Sequence, residues 1–371
     1  MSSAEVLAAG EPPATPPTGP APRRGRSLSL STGLPPLARY LLVRLALVIP
    51  MIWVLVTLVF VLLRVIGDPI TAAQGGRLTP DQIAQRKADA GLDRPMLVQY
   101  WEYVSGLVRG DFGTTLTDNQ PISQILKVNG AATLELTLYA LVVAFAIGIP
   151  LGRLAARYRD RLPDVTLRLF AIVAYAAPVF FVGLLLKLAF TPFGWPSSGR
   201  ASTTTLLTLQ DVKPRTNILL VDAILWGDPG YVLEVLQYAL LPALALGLLT
   251  GGVFLRLVRI NLLQTLRAEY VTAARARGIS EGRVVRKVAF SNALVPVVTV
   301  MGMQIAMLLA GAVLTETTFE WKGIGYMLAE YLKARDFLAV QGIVTLIALV
   351  VCLASFLIDV IVALVDPRVR F

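Results

Sequence analysis

Residues 41–66 read LLVRLALVIPMIWVLVTLVFVLLRVI, and the only charged members of this run are Arg44 and Arg64. A helix needs about 20 consecutive apolar residues to cross the roughly 30 Å of hydrocarbon in a bilayer. The run is longer than the apolar part of a signal peptide, and no small-residue cleavage site follows it. We therefore expect it to remain in the protein as a membrane-spanning helix.

Five further apolar runs follow along the chain, at about 132–152, 167–190, 235–255, 292–314 and 340–365. The mean hydropathy of the whole chain is +0.68, which a soluble protein rarely reaches. Proline lies in or beside several runs, and membrane helices tolerate it because neighbouring groups satisfy the freed carbonyls. The sequence predicts an all-α integral membrane protein with six transmembrane helices.

The distribution of charge predicts the orientation. The chain carries a formal net charge of +10. If the N-terminus is cytoplasmic, the inner segments hold 19 Lys and Arg against seven acids, and the outer segments hold 12 against 14. Lys and Arg concentrate in the cytoplasmic loops of membrane proteins. We therefore expect both termini to be cytoplasmic, and we attribute the basic charge to topology and not to nucleic-acid binding.

Several kinds of chemistry are excluded by composition. The chain has no histidine and a single cysteine, Cys352. Histidine metal sites, histidine general bases and structural zinc sites therefore cannot form. No Gly-x-x-x-x-Gly-Lys-Ser/Thr phosphate loop occurs either. We expect no catalytic residue, no metal site and no cofactor bound by this chain, which is accordingly not an enzyme.

Two segments outside the runs stand out by composition. Residues 1–40 are rich in Pro, Gly, Ser, Thr and Arg and have no periodic apolar face, which predicts a disordered, Pro/Arg-rich cytoplasmic tail. Residues 67–131 are too long for a simple link and contain helix-start patterns at Thr79 and Pro95. They predict a small helical external loop subdomain with an aromatic core, able to receive a partner or act as a lid.

The inner segment 256–290 contains the basic stretch EYVTAARARG at 269–278. An apolar stripe at helical spacing runs into it: Leu262, Leu266, Tyr270 and Ala273. Gly278 can adopt the left-handed conformation that ends a helix, and Ser280 is a good N-cap for the next one. The pattern predicts a short amphipathic helix, a glycine stop, and a new helix that leads into the fifth run.

A helix fixed between two membrane helices cannot move without moving them. If a soluble partner grips it, motion of the partner becomes motion of the membrane helices. The alternative is a basic helix that lies on anionic lipid, which its arginine content permits.

Polar residues inside the runs are candidates for a translocation path. Glu135 lies in the second run, whereas Gly302, Gln304 and Gly311 lie in the fifth, where small residues permit close helix contact. Plain helix packing is the alternative interpretation of the three residues in the fifth run.

The other charged residues in the runs have simpler explanations. We expect Arg44, Arg64 and Lys187 to extend toward the headgroups. Glu234 and Asp359 could line a polar path, although helix ends and partner-facing positions are the other interpretation.

EYVTAARARG resembles the EAA loop of permease subunits in binding-protein-dependent ABC importers, and specifically the B-type subunit of dipeptide/oligopeptide permeases. Other strings resemble the same branch in the same order: GDP at 67–69, GLDRP at 91–95, GDFG at 110–113, ATLEL at 132–136, LPALALG at 241–247, GAVLTETTFEW at 311–321 and DPRVR at 366–370. The similarity covers roughly residues 40–371. The sequence departs from the family at 288–292 and at 321–323, which leaves the substrate open but spares the loop.

The resemblance implies a type I ABC importer transmembrane domain over residues 41–371, with the EAA coupling loop at 256–290. It implies a multi-pass subunit of the bacterial inner (plasma) membrane that forms the path for peptides. The implied partners are a second homologous permease, two P-loop ATPase subunits that carry ATP and magnesium, and an extracytoplasmic substrate-binding protein. The residues that carry over as the ATPase-coupling loop are Glu269, Tyr270, Ala273, Ala274 and Gly278, with Arg275 and Arg277 added as polar contacts.

Two alternatives remain on the residues alone. An importer of nickel or another small solute could use the same scaffold, because permease motifs report coupling better than cargo. A secondary carrier or channel would instead predict an inverted internal repeat with discontinuous helices, and we find no similarity between the two halves of the sequence.

Overall fold

A computed structural model describes residues 36–67, 70–71, 78–89 and 91–365. These residues are predominantly helical, and no β-strand occurs within the described ranges. Most of the predicted disordered tail lies outside them, as do the last six residues. The first helix begins at Pro36, so the tail cannot extend to residue 40 as predicted.

The helices are numbered in chain order. The first part of the chain forms α1 (Pro36–Ile66), α2 (Pro80–Asp89), α3 (Met96–Val108), α4 (Ile122–Arg157), α5 (Leu162–Ala176), α6 (Val179–Phe190), α7 (Thr203–Thr208) and α8 (Leu219–Trp226). The second part forms α9 (Pro229–Thr265), α10 (Glu269–Ala276), α11 (Glu281–Arg283), α12 (Phe290–Gly311), α13 (Val313–Thr318), α14 (Ile324–Lys333) and α15 (Phe337–Val365). Residues Val284–Ala289, between α11 and α12, are wound as a π-helix.

Four of these helices are long and apolar enough to cross a membrane, namely α1, α4, α9 and α15. They coincide with the first, second, fourth and sixth apolar runs. Their backbone groups are satisfied within each helix, which is the condition for spanning hydrocarbon. Pro50, Pro150 and Pro242 are accommodated inside them.

The third run is not the single helix that the sequence predicts. It is split into α5 and α6, which are bent by 105° about Ala177 and Pro178. Ala177 is extended, with ψ 131°, because the ring of a proline disfavours the helical conformation of the residue before it. The pair is a broken span or a re-entrant segment. Helix α12 lies at the fifth run, and the count of six spans stays a prediction.

Helices α4 and α9 make the most extensive contact of any helix pair in the described structure. Glycines allow the approach: a Cβ atom placed on Gly148 would lie 2.7 Å from the Cβ of Phe254 and 2.8 Å from the carbonyl oxygen of Gly251. A Cβ on Gly247 would lie 2.6 Å from Val143. Removing side chains at these points brings the two backbones together and gains van der Waals contact along both helices.

Within residues 78–89 and 91–131, no hydrophobic core cluster belongs to the external loop alone. Its helix α3 instead packs on α1 and α15, where the Tyr100 hydroxyl lies 2.6 Å from Thr57 Oγ1 and the Tyr103 hydroxyl lies 2.6 Å from Thr345 Oγ1. Both tyrosine rings contact Phe60 of α1, with ring centroids 5.3 and 5.9 Å apart. The aromatic residues seen in the sequence therefore fasten α3 to the membrane helices.

Candidate functional site

The EAA loop has the predicted helix, glycine stop and second helix. Helix α9 ends at Thr265, α10 covers Glu269–Ala276, and Gly278 follows with φ +74°. This φ lies in the left-handed region that favours glycine, so the helix ends there. Ser280 occupies the N-cap position of α11, but its side chain makes no capping hydrogen bond.

The face that α10 buries differs from the predicted stripe. Val271 and Ala274 are buried, whereas Tyr270 and Ala273 are exposed. The prediction was wrong because the chain leaves the helix after Thr265 and re-enters it at Glu269, which rotates the register of everything that follows.

The buried face of α10 packs into a hydrophobic cluster that draws residues from four other elements. Val271 and Ala274 belong to a cluster with Ala156 of α4, Leu262 of α9, Val284 and Ala289 of the π-helix, and Ala293 of α12. This end of the bundle, where Arg157, Thr265 and α10 meet, is called the α10 end below. Displacement of α10 must disturb each of these contacts, since interiors are close-packed.

The opposite face of α10 is open. Glu269, Tyr270, Ala273 and Arg277 are exposed there, and Tyr270 has 45% of its surface accessible. The small side chain of Ala273 leaves space for another surface to approach closely beside the Tyr270 ring. The predicted coupling residues are thereby divided, since Ala274 packs inward and cannot contact a partner directly.

Arg275 is engaged within the loop itself. Its guanidinium donates to both carboxylate oxygens of Glu281, at 3.0 and 2.7 Å, and more weakly to the carbonyl oxygen of Leu266 at 3.4 Å. The hydrogen bond from Arg275 lowers the pKa of Glu281 below its ordinary value. The pair ties α10 to α11 across the glycine. Glu281 was missed in the sequence because the pairing depends on the turn at Gly278.

The link from α11 to α12 is the π-helix Val284–Ala289. π-Helical turns are rare and often mark functional positions in helices. Here the turn lies directly between the loop and α12, and it packs against α10 through Val284 and Ala289. No sequence pattern identified it.

The predicted path residue Glu135 is buried and fully engaged. It forms an ion pair with Arg200, and it accepts hydrogen bonds from the backbone nitrogen of Leu220 at 2.8 Å and from the Tyr139 hydroxyl at 2.9 Å. Arg200 lies over the ring of Trp321, 5.5 Å from its centroid. In this conformation Glu135 is buried and holds the 200–220 segment against α4.

The other predicted path residues, Gly302, Gln304 and Gly311, lie on α12, with Gln304 half-buried. None of the described hydrogen bonds of Glu135 reaches α12, so hydrogen bonding does not join these four residues into one site.

The remaining charged residues of the apolar runs have protein partners. Arg64 donates to Gln99 and Gln341, both at 3.0 Å, and the Lys187 ammonium donates to the Thr318 carbonyl oxygen at 2.9 Å. The expected extension of Arg64 and Lys187 toward headgroups is therefore wrong.

The last three charged residues of the runs are paired as well. Arg44 lies 3.4 Å from Asp359, and Glu234 accepts from the backbone nitrogen of Ser202 and the hydroxyl of Thr205, both at 2.7 Å. Within the described residues, no group of three His, Cys, Asp or Glu side chains is arranged to hold a metal ion.

Two family models match the chain. Residues 148–371 match the binding-protein-dependent transport system inner membrane component, and residues 37–123 match the N-terminal part of such a membrane component. The matched regions include the α10 end of the bundle and the helices α1 and α3.

Several characterised proteins are similar over nearly their whole length. The chain is 38% identical to the dipeptide transport system permease protein DppB of Escherichia coli (strain K12), over 90% of this chain and 98% of that protein. It is 39% identical to the di/tripeptide transport system permease protein DppB of Pseudomonas aeruginosa (strain UCBPP-PA14), over 88% and 97%. It is 32% identical to the glutathione transport system permease protein GsiC of Salmonella choleraesuis (strain SC-B67), over 90% and 99%.

Proposed function

The chain belongs to the family of binding-protein-dependent transport system inner membrane components and is an ABC permease of the dipeptide/oligopeptide branch, and from this premise we propose that ATPase subunits drive it through α10 to import small peptides. It is a transport subunit and not an enzyme, and separate ATPase subunits hydrolyse the ATP. The observation that carries the proposal is the two-sided character of α10.

The open face of α10 is the surface that an ATPase grips. Tyr270 and Ala273 form its centre, and Glu269 and Arg277 supply charges at its edges. Because an aromatic ring beside a small residue offers both a contact and a recess, this face suits a complementary groove on the partner.

The buried face passes the motion on. Val271 and Ala274 pack in one cluster with residues of α4, α9, the π-helix and α12, so a pull on α10 acts on all four. The Arg275–Glu281 pair makes α10 and α11 move together, and α11 continues through the π-helix into α12. The geometry supports transmission of this motion to α12, at the fifth apolar run, as well as to α9, at the fourth.

The complete importer in this proposal has four kinds of subunit. A second homologous permease pairs with this chain, two ATPase subunits bind ATP and magnesium, and an extracytoplasmic binding protein delivers the peptide. Both termini and the α10 end face the cytoplasm, in agreement with the charge distribution of the sequence. Peptide cargo is taken from the relatives named for dipeptides and di/tripeptides.

The test is substitution at Gly278 in the assembled transporter. Gly278→Val places a β-branched residue at φ +74°, where it costs about 1–2 kcal/mol of strain and misaligns Arg275 with Glu281. We expect dipeptide uptake to fall at least tenfold, while membrane insertion and retention of the second permease stay normal. Gly278→Asn is the matched control, because asparagine tolerates this conformation and should keep most of the uptake.

The readouts are uptake of a radiolabelled dipeptide and stimulation of ATP hydrolysis by the loaded binding protein. Wild-type uptake in Gly278→Val would refute the coupling role of α10. If the wild-type transporter takes up labelled Ni²⁺ but no labelled dipeptide, the peptide cargo is refuted.

A further inference from the structure

A groove of about 610 Å³ lies at the α10 end of the bundle, between α4 and the segment that follows α10. Its floor is apolar and includes Pro150, Leu154 and Val285. Its rim is cationic and is formed by Arg153, Arg157 and Arg286. A site that combines an apolar floor with several cations suits an anionic amphiphile.

The cations of the rim lack a neutralising partner. Among the described residues, no carboxylate lies within ion-pair distance of Arg153, Arg157 or Arg286. The one acid that lines the groove, Glu281, is already bound to Arg275 through both oxygens. The positive charge of the groove is therefore available to an external anion.

Two of the rim arginines are held in place by contacts that leave most of their donors free. The Arg153 guanidinium lies 4.6 Å from the centroid of the Phe290 ring, a contact made by the face of the cation and not by its N–H groups. Among the described residues, Arg286 donates a hydrogen bond from Nε alone, to the carbonyl oxygen of Gly282 at 3.3 Å. Guanidinium has five N–H donors, so both residues can still donate to phosphate oxygens.

An exposed apolar stripe on α4 leads into the groove. Its members recur every four residues, are all exposed, and so form a continuous ridge that winds gradually around the helix: Leu134, Leu138, Val142, Ala146, Pro150 and Leu154. Val142 has 66% of its surface accessible, and the last two members line the groove floor. In a bilayer, this stripe provides a continuous apolar surface from the middle of the membrane to the cationic rim.

We propose that the groove is a binding site for an anionic phospholipid. The phosphate lies between Arg153, Arg157 and Arg286, and one acyl chain follows the apolar stripe of α4 toward the bilayer centre. The basic groove between helices is the form that headgroup sites take at the cytoplasmic side of membranes. The proposed site rests neither on the peptide cargo nor on the coupling role of α10.

The location gives the lipid an effect on the loop. Gly282 and Val285 line the groove from the segment that joins α10 to α12, whereas Pro150 and Leu154 line it from α4. A bound lipid spans these two elements and holds them together, so it reduces their relative motion.

The test compares phosphatidylglycerol with phosphatidylcholine of the same acyl chains, titrated into the purified full chain and followed by native mass spectrometry. The variant is Arg153→Gln with Arg286→Gln. A Lys or Arg beside an anionic surface contributes roughly fivefold in affinity, so loss of two predicts about thirtyfold weaker binding of phosphatidylglycerol and little change for phosphatidylcholine.

Two controls match this variant. Arg159→Gln with Arg161→Gln removes two exposed arginines at the same end that do not line the groove, and should keep the preference for phosphatidylglycerol. Arg153→Lys with Arg286→Lys keeps the charge and should keep most of the preference, which shows that the site still folds.

Four results would overturn the proposal. An unchanged preference in the glutamine pair means that the groove is not the site, and an equal loss in the Arg159 and Arg161 control means that the attraction is diffuse. If the glutamine pair keeps its lipid preference but no longer retains the ATPase subunits on co-purification, the groove belongs to the ATPase interface. Loss in the lysine pair as well would show that charge is not what the groove supplies.

Discussion

Gly148 is one of the points at which the packing of α4 on α9 leaves no room for an added methyl group. In Gly148→Ala the new Cβ lies 2.7 Å from the Phe254 Cβ and 2.8 Å from the Gly251 carbonyl oxygen. The second of these is backbone, so no side-chain rotation relieves the contact. The two helices must separate by about 0.8 Å to restore an ordinary separation of about 3.5 Å.

The magnitude follows from comparison with a glycine of the same helix. Gly130 also lies in α4, and a Cβ placed there meets no atom within 4 Å. Both changes to alanine gain the same helix propensity, up to about 1 kcal/mol. The difference between the two variants is therefore the overpacking cost alone, about 1–3 kcal/mol, and it should lower the melting temperature of Gly148→Ala by roughly 2–10 °C relative to Gly130→Ala.

The chain supplies its own probe for this measurement. Cys352 is the single cysteine and is buried on α15, so a thiol-reactive fluorogenic dye reports its exposure on heating. Equal melting temperatures for the two variants would refute the close approach of α4 and α9. A Gly148→Ala protein that melts above wild type would refute it more strongly.

Two further predictions concern the buried carboxylates. Arg200→Met should destabilise the protein by about 3–5 kcal/mol, because it leaves Glu135 buried without its cation. Adding Glu135→Gln should recover a large part of this loss in the same melting assay. If the effects of the two substitutions are simply additive, the pairing is contradicted. Burial raises the pKa of Glu316 to about 7, despite the hydrogen bond from Thr133. The folded state then binds more protons than the unfolded state between about pH 4.5 and 7, so stability should fall as the pH rises through this window. Thermal melts followed by circular dichroism should give a lower melting temperature at pH 8 than at pH 5.5 for wild type, but not for Glu316→Gln. Equal wild-type melting temperatures at the two pH values would contradict the raised pKa of Glu316.

The long helices were predictable because hydrocarbon leaves a run of 20 or more apolar residues almost no other structure. The glycine stop at Gly278 was predictable for a local reason, since one residue decides whether the helix can end there. The exposed face of α10 was not, because its register depends on where the chain leaves α9. If α9 ended a few residues before or after Thr265, different residues of α10 would face the bundle and the exposed side.

Other features depended on contacts between distant parts of the chain. Glu135 and Arg200 are 65 residues apart, and nothing near either position in the sequence indicates that they pair. Arg64 was assigned to the headgroups because its partners, Gln99 and Gln341, lie on other elements. The bend at Pro178 was similarly hidden, because a proline in an apolar run is compatible with a straight, a kinked or a broken helix.

The two faces of α10 separate recognition from transmission. Substitutions of Tyr270 or Arg277 alter only exposed surface, so they can change which ATPase is gripped without disturbing the bundle. Substitutions of Val271 or Ala274 leave that surface intact and act on the contacts with α4, α9 and the π-helix. Under the proposed function, the first pair should weaken ATPase retention, whereas the second should preserve retention and uncouple ATP hydrolysis from uptake. A conservative change at Val271 that lowers retention and uptake in equal proportion would mean that one surface performs both roles.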